Sequence, residues 1–77
     1  MSTPIEILQK VSEETGVPAR QLFAKDRSKY VFSARLKLYK ELRALGMSYP
    51  EIGRFCGRDH GTIIKVLKRH VEHPAAS

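Results

Sequence analysis

The stretch from Ser48 to Arg69, SYPEIGRFCGRDHGTIIKVLKR, constrains this chain most, because it has room for two short helices and a tight turn and for little else. Ser48, with Glu51 three residues on, makes a capping box: each side chain satisfies a backbone N–H that helix geometry leaves unpaired. Pro50 falls in the first turn, where its missing N–H costs nothing. Ile52 and Phe55 are the apolar positions of this helix. Gly57 ends it, since glycine takes the left-handed conformation that a sharp turn requires. Asp59 can cap the next helix, where Ile63, Val66 and Leu67, with Ile64 alongside, form an apolar stripe of helical period.

This is the arrangement a helix-turn-helix needs. Gly53 is small enough for the two helices to cross closely, and Ile52, Cys56, Ile63 and Val66 hold the second against the first. The second helix can then present its N-terminal face to a major groove. Asp59, His60, Gly61 and Thr62 lie on that face, with Lys65 and Lys68 one and two turns later. An αα-hairpin that merely packs has the same apolar pattern. Charge separates the two, because Arg54, Arg58, Lys65, Lys68 and Arg69 cluster here, whereas a solvated face mixes signs more evenly.

At 77 residues the chain is expected to form one domain, over 1–70, followed by a short flexible tail, 71–77. No apolar run approaches the ~18 residues of a membrane span, and no charged start followed by an apolar stretch suggests a signal peptide. A single cysteine forms no internal disulfide, which fits a reducing cytoplasm. The formal net charge is +6 and unevenly spread. Residues 1–19 are acidic, while 20–45 carry eight basic residues against Asp26 and Glu41. That asymmetry points to a polyanion, nucleic acid before membrane, since the large apolar residues are needed for the core.

Earlier in the chain, Thr3-Pro4-Ile5-Glu6 is a second capping box, opening a helix to about Thr15 with Ile5, Ile7, Leu8 and Val11 on its apolar face and Gly16 as its C-cap. Val17-Pro18 opens a short helix with Leu22 and Phe23 inward. Lys25 to Tyr30, KDRSKY, reads as a basic connection: an ordinary solvated loop, or an arm that tracks phosphates or enters a minor groove, where Arg is suited to the negative potential. Val31 to Leu45 is the longest helix, with Val31, Ala34, Leu38, Leu42 and Leu45 in its stripe and Gly46 closing it. The fold class is therefore all-α: about five helices with a C-terminal helix-turn-helix.

GRDHGTI at residues 57–63 resembles the GRDHTTV signature of the C-terminal DNA-binding domain (domain IV) of DnaA, the bacterial replication initiator, a helix-turn-helix of the Trp-repressor-like superfamily. Pro50-Glu51-Ile52-Gly53 resembles the family's PEIG, Lys25 to Arg35 its basic loop, and Ile5 to Phe23 its first helices, so the likeness covers about residues 5 to 69. The resemblance implies that Arg27 enters the minor groove, that Lys29 and Arg35 contact phosphates, and that Pro50 touches DNA. It also implies that Asp59 and His60 read bases, with the family's two threonines falling on Gly61 and Thr62. There are departures. FGGRDH is here FCGRDH, the stretch from Pro50 to Arg58 is one residue shorter, and Ser33 and Ala34 replace a basic residue and a proline. Gly61 lacks the methyl and hydroxyl of threonine. The initiator's ATPase module has a P-loop, and this chain has no such motif, so no nucleotide cofactor is expected.

The expected function is sequence-specific binding of double-stranded DNA, in the cytoplasm at the nucleoid, by a small transcription or replication regulator. Asp59, His60 and Thr62 would read base edges. Arg58 would bond a base or a phosphate. Lys29, Arg35, Lys65 and Lys68 would contact phosphates, and Ser48 at its helix N-terminus would offer N–H groups to another. The alternative is a protein-interaction module that binds DNA weakly and without sequence preference, its partners belonging to the replication or transcription machinery. Zinc is not expected, because His60 and His70 sit ~15 Å apart at either end of one helix. Nor is catalysis, since Asp59 and His60 have no nucleophile in a pocket with them.

Overall fold

The computed structural model describes residues 3–24 and 28–69. Arg27, with Lys25 and Asp26, and the tail from residue 71 lie outside the described residues. Five helices follow one another: α1 (Pro4–Thr15), α2 (Ala19–Leu22), α3 (Lys29–Leu45), α4 (Tyr49–Cys56) and α5 (His60–Leu67). Among the described residues there is no strand. The fold is all-α, as the sequence pattern indicates.

Local chemistry sets most boundaries. Both capping boxes form: Thr3 with Glu6 opens α1, and Ser48 with Glu51 opens α4. Gly16, Gly46 and Gly57 each close a helix in the left-handed conformation. One boundary differs from expectation. α3 begins at Lys29 rather than Val31, so Lys29 and Tyr30 are helical and not part of a loop. The reason is Ser28, whose hydroxyl accepts from the Val31 N–H and whose carbonyl accepts from Phe32 at 2.9 Å, an N-cap that starts the helix two residues before the apolar stripe.

α1 packs along α3, α2 bridges α1 and α3, α4 lies on α5, and α4 and α5 together close on α3. Every helix supplies the one core: Val11 from α1, Leu22 from α2, Leu38, Tyr39 and Leu42 from α3, Ile52 and Cys56 from α4, and Ile63 and Leu67 from α5. Lys37 pairs with Glu14 at 2.7 Å and Lys10 with Glu41 at 3.5 Å, tying α1 to α3 at the surface. Two stripe assignments are corrected. Ile5, in the first turn of α1, is 55% exposed, and Leu45, the last residue of α3, is 37% exposed. Phe23 packs against the core half-buried and meets Phe55 edge-on with centroids 5.9 Å apart. Tyr39, in contrast, is buried completely among the helices.

Candidate nucleic-acid interface

Two glycines shape the turn between α4 and α5. Gly57 has φ 71°, a conformation costly for a side chain with a Cβ. Gly53 matters for space: a Cβ there would stand 2.6 Å from the Arg58 carbonyl oxygen and 3.3 Å from the His60 nitrogen. The Gly53 carbonyl also accepts from the Arg58 N–H at 2.8 Å. The backbone entering α5 is thus laid directly on the buried face of α4.

That seating fixes which side of α5 faces outward. Ile63 and Leu67 are buried against α3 and α4. Asp59, His60, Thr62, Lys65 and Lys68 are all exposed, with Gly61 half-covered among them. Ser48 and Pro50 are exposed at the start of α4, and Lys29 is exposed in the first turn of α3. The Ser48 N–H, considered above as a phosphate donor, is engaged by Glu51 Oε1 at 2.7 Å, and the exchange holds the Glu51 carboxyl below its usual range. Asp59 caps α5: its Oδ2 accepts from the Gly61 N–H at 2.9 Å.

Arg35 and Arg58 have internal partners. Arg35 Nε donates to the Leu22 carbonyl at 3.0 Å and its Nη2 to that of Ala24. Arg58 Nη2 donates to the same Ala24 oxygen and, at 3.4 Å, to Phe23. Both guanidiniums are half-buried, and together they satisfy carbonyls at the end of the four-residue α2 that helix geometry leaves open. Beneath them, burial pushes the Tyr39 hydroxyl and the Cys56 thiol up, the thiol to about 11, while both arginines pull the other way. A second brace lies at the other end of α4, where Arg43 donates to the Met47 carbonyl at 2.9 Å and stacks over the Tyr49 ring at 4.6 Å. Sequence patterning did not show either brace, because carbonyl acceptors carry no residue signature.

Among the described residues no three His, Cys, Asp or Glu side chains gather as a metal site. Among them, too, no helix is long and apolar enough to cross a membrane.

The family model described as the bacterial DnaA protein helix-turn-helix matches residues 4–69. The chain belongs to that family. Membership implies a DNA-binding helix-turn-helix. Of the residues 57–63, Asp59, His60 and Thr62 are exposed at the start of α5, while Ile63 is buried. Among curated proteins the chain is similar to the chromosomal replication initiator protein DnaA of Thermus thermophilus, 35% identical over 68 residues that make up 86% of this chain and 16% of that protein. It is also similar to the chromosomal replication initiator protein DnaA 1 of Chlamydia pneumoniae, 30% identical over 67 residues, 86% of this chain and 15% of that protein. The chain thus spans about a sixth of the length of these relatives. No solved structure matches it.

Proposed function

We propose that this chain is a sequence-specific double-stranded DNA-binding module, a binding domain rather than a catalyst. α5 enters the major groove, where His60 and Thr62 meet base edges and Lys65 and Lys68 meet phosphates. Lys29 contacts the backbone from the start of α3, Pro50 touches it from the start of α4, and Arg27 reaches the minor groove. Arg35 and Arg58 hold the carbonyls of Leu22, Phe23 and Ala24 against the turn that starts α5. The observation that carries this reading is the sidedness of α5: Ile63 and Leu67 are fully buried while His60, Thr62, Lys65 and Lys68 all face outward.

The biological role that fits is a small regulator of transcription or replication, working at the nucleoid in the cytoplasm and competing with an initiator for its sites. The DNA-binding reading is tested by selection from random duplex DNA, with affinity for the winners followed across salt. A short consensus is expected. Enrichment of nothing, with binding that vanishes at moderate salt, would instead favour a protein-interaction module.

A further inference from the structure

The carboxylate of Asp59 lies folded back on the start of its own helix, with Oδ2 2.9 Å from the Gly61 nitrogen. It can lie there because residue 61 has no side chain. A Cβ on Gly61 would stand 2.8 Å from that same oxygen, inside the contact distance carbon and oxygen tolerate. Among the described residues, leaving aside its chain neighbours and the backbone of its own helix, the other atom within 4 Å of that Cβ is Asp59 Cγ, at 3.9 Å. What opposes a Cβ at 61 is thus the Asp59 carboxylate, the free end of a rotatable group. A Cβ here therefore obliges the Asp59 carboxylate to shift from its place on the Gly61 N–H, since the carboxylate is the part free to move.

Where that carboxylate points matters for DNA. Folded back, its charge is taken up by a backbone donor at the positive end of a helix. Turned outward from the exposed tip of α5, it is an acceptor suited to a cytosine amino group and repelled by phosphate and by guanine or thymine acceptors.

We propose that Gly61 is a specificity-determining residue that acts through Asp59: by leaving space for the carboxylate on the helix cap, it withdraws Asp59 from base readout and leaves readout at the tip of α5 to His60 and Thr62. This rests on the DNA-binding reading above, and residue 61 is the position at which the base preference of that surface is set.

The test is selection from random duplex DNA with four chains in parallel: wild type, Gly61→Ala, Asp59→Asn, and the double variant. Gly61→Ser serves as a second probe of the Cβ effect. Alanine and serine both exceed glycine in helix propensity and asparagine is a good N-cap, so the helix is retained and helical circular dichroism checks it. Wild type and Asp59→Asn are expected to select the same consensus. Gly61→Ala and Gly61→Ser are expected to change the preference at one base pair by roughly tenfold, toward cytosine on one strand, and the double variant to lose that change. If Gly61→Ala and Gly61→Ser keep the wild-type consensus, or if Asp59→Asn alone alters it, Gly61 does not act through Asp59, although the DNA-binding reading stands. If wild type enriches no sequence, the DNA-binding reading itself fails and this assignment with it.

Discussion

Arg35 and Arg58 donate to one and the same carbonyl oxygen, that of Ala24, each at 2.5 Å. One arginine comes from the middle of α3 and the other from the turn before α5, so this single acceptor joins the long helix, the end of α2 and the entrance to the outward-facing helix. Hydrogen bonds to a charged group are worth about 1.5–3 kcal/mol each, and at the exposed Ala24 oxygen water competition brings them to the low end. Arg35→Ala and Arg58→Ala are each expected to lower the thermal midpoint by at least several degrees, since about 1 kcal/mol moves a domain of this size by roughly 4–8 °C. Lysine keeps the charge but not the fork, so Arg58→Lys is expected to recover only part of the loss. A thermal melt of each variant checks this, and unchanged midpoints would mean the clasp contributes nothing in solution.

The same clasp separates two kinds of basic residue. Lys65 and Lys68 are exposed with α5 between them and the core. Each lysine that neutralises a phosphate contributes about one unit to the slope of log affinity against log salt. Lys65→Ala and Lys68→Ala are expected to flatten that slope by about one unit each. Arg58→Ala is expected to weaken binding with a smaller change in slope, because its guanidinium is bonded inside the protein. Titrations at several salt concentrations distinguish the two; a full unit lost on Arg58→Ala would make Arg58 a phosphate contact.

Gly53 offers a sharper test of the seating of α5. Its added Cβ would meet backbone, the Arg58 carbonyl oxygen at 2.6 Å, and backbone at a helix start yields little. Gly53→Ala is expected to cost about 1–3 kcal/mol through overpacking, even though alanine is the better helix former. Urea denaturation gives the number. A neutral or stabilising result would contradict the close approach of α4 to the turn.

Alkaline pH probes the core beneath the arginines. Burial raises the Cys56 thiol from 9.0 to about 11, with Arg58 and Arg35 opposing. The unfolded chain therefore releases this proton first. The stability due to keeping the thiol neutral is complete below pH 9 and is lost as pH rises towards 11. The slope is about 1.4 kcal/mol per pH unit for one such group. The Tyr39 hydroxyl, raised by burial in the same place, adds to the loss in the same direction. Cys56→Ala is expected to flatten the fall in stability above pH 9, as urea melts at successive pH values would record. An equally steep fall in the variant would assign the loss to other groups.

What the chain made legible in advance was local. The capping boxes at Thr3 and Ser48 and the closing glycines act through neighbours within a turn or two, and each formed where the residues indicated. The outward set on α5 follows from the same period, because Ile63 and Leu67 fix the opposite face. What stayed hidden is long-range. Arg35 and Arg58 look like DNA contacts in a basic sequence, and only the fold brings them to carbonyls of α2. The exposure of Ile5, in the first turn of α1, and of Leu45, the last residue of α3, is also something periodicity does not encode. Asp59 is intermediate: its cap was readable, but the dependence of that cap on the bare Gly61 needed coordinates.

The central claim is that the outward face of α5 reads duplex DNA, and the most direct measurement compares affinity for a selected duplex and a scrambled one, for wild type and His60→Ala, at near-physiological salt. Wild type is expected to prefer the selected duplex by at least roughly a thousandfold, the lower end of specific recognition. His60→Ala is expected to lose most of that discrimination while retaining its affinity for the scrambled duplex. Equal affinity of wild type for both duplexes, or a His60→Ala chain that discriminates as well as wild type, would contradict it.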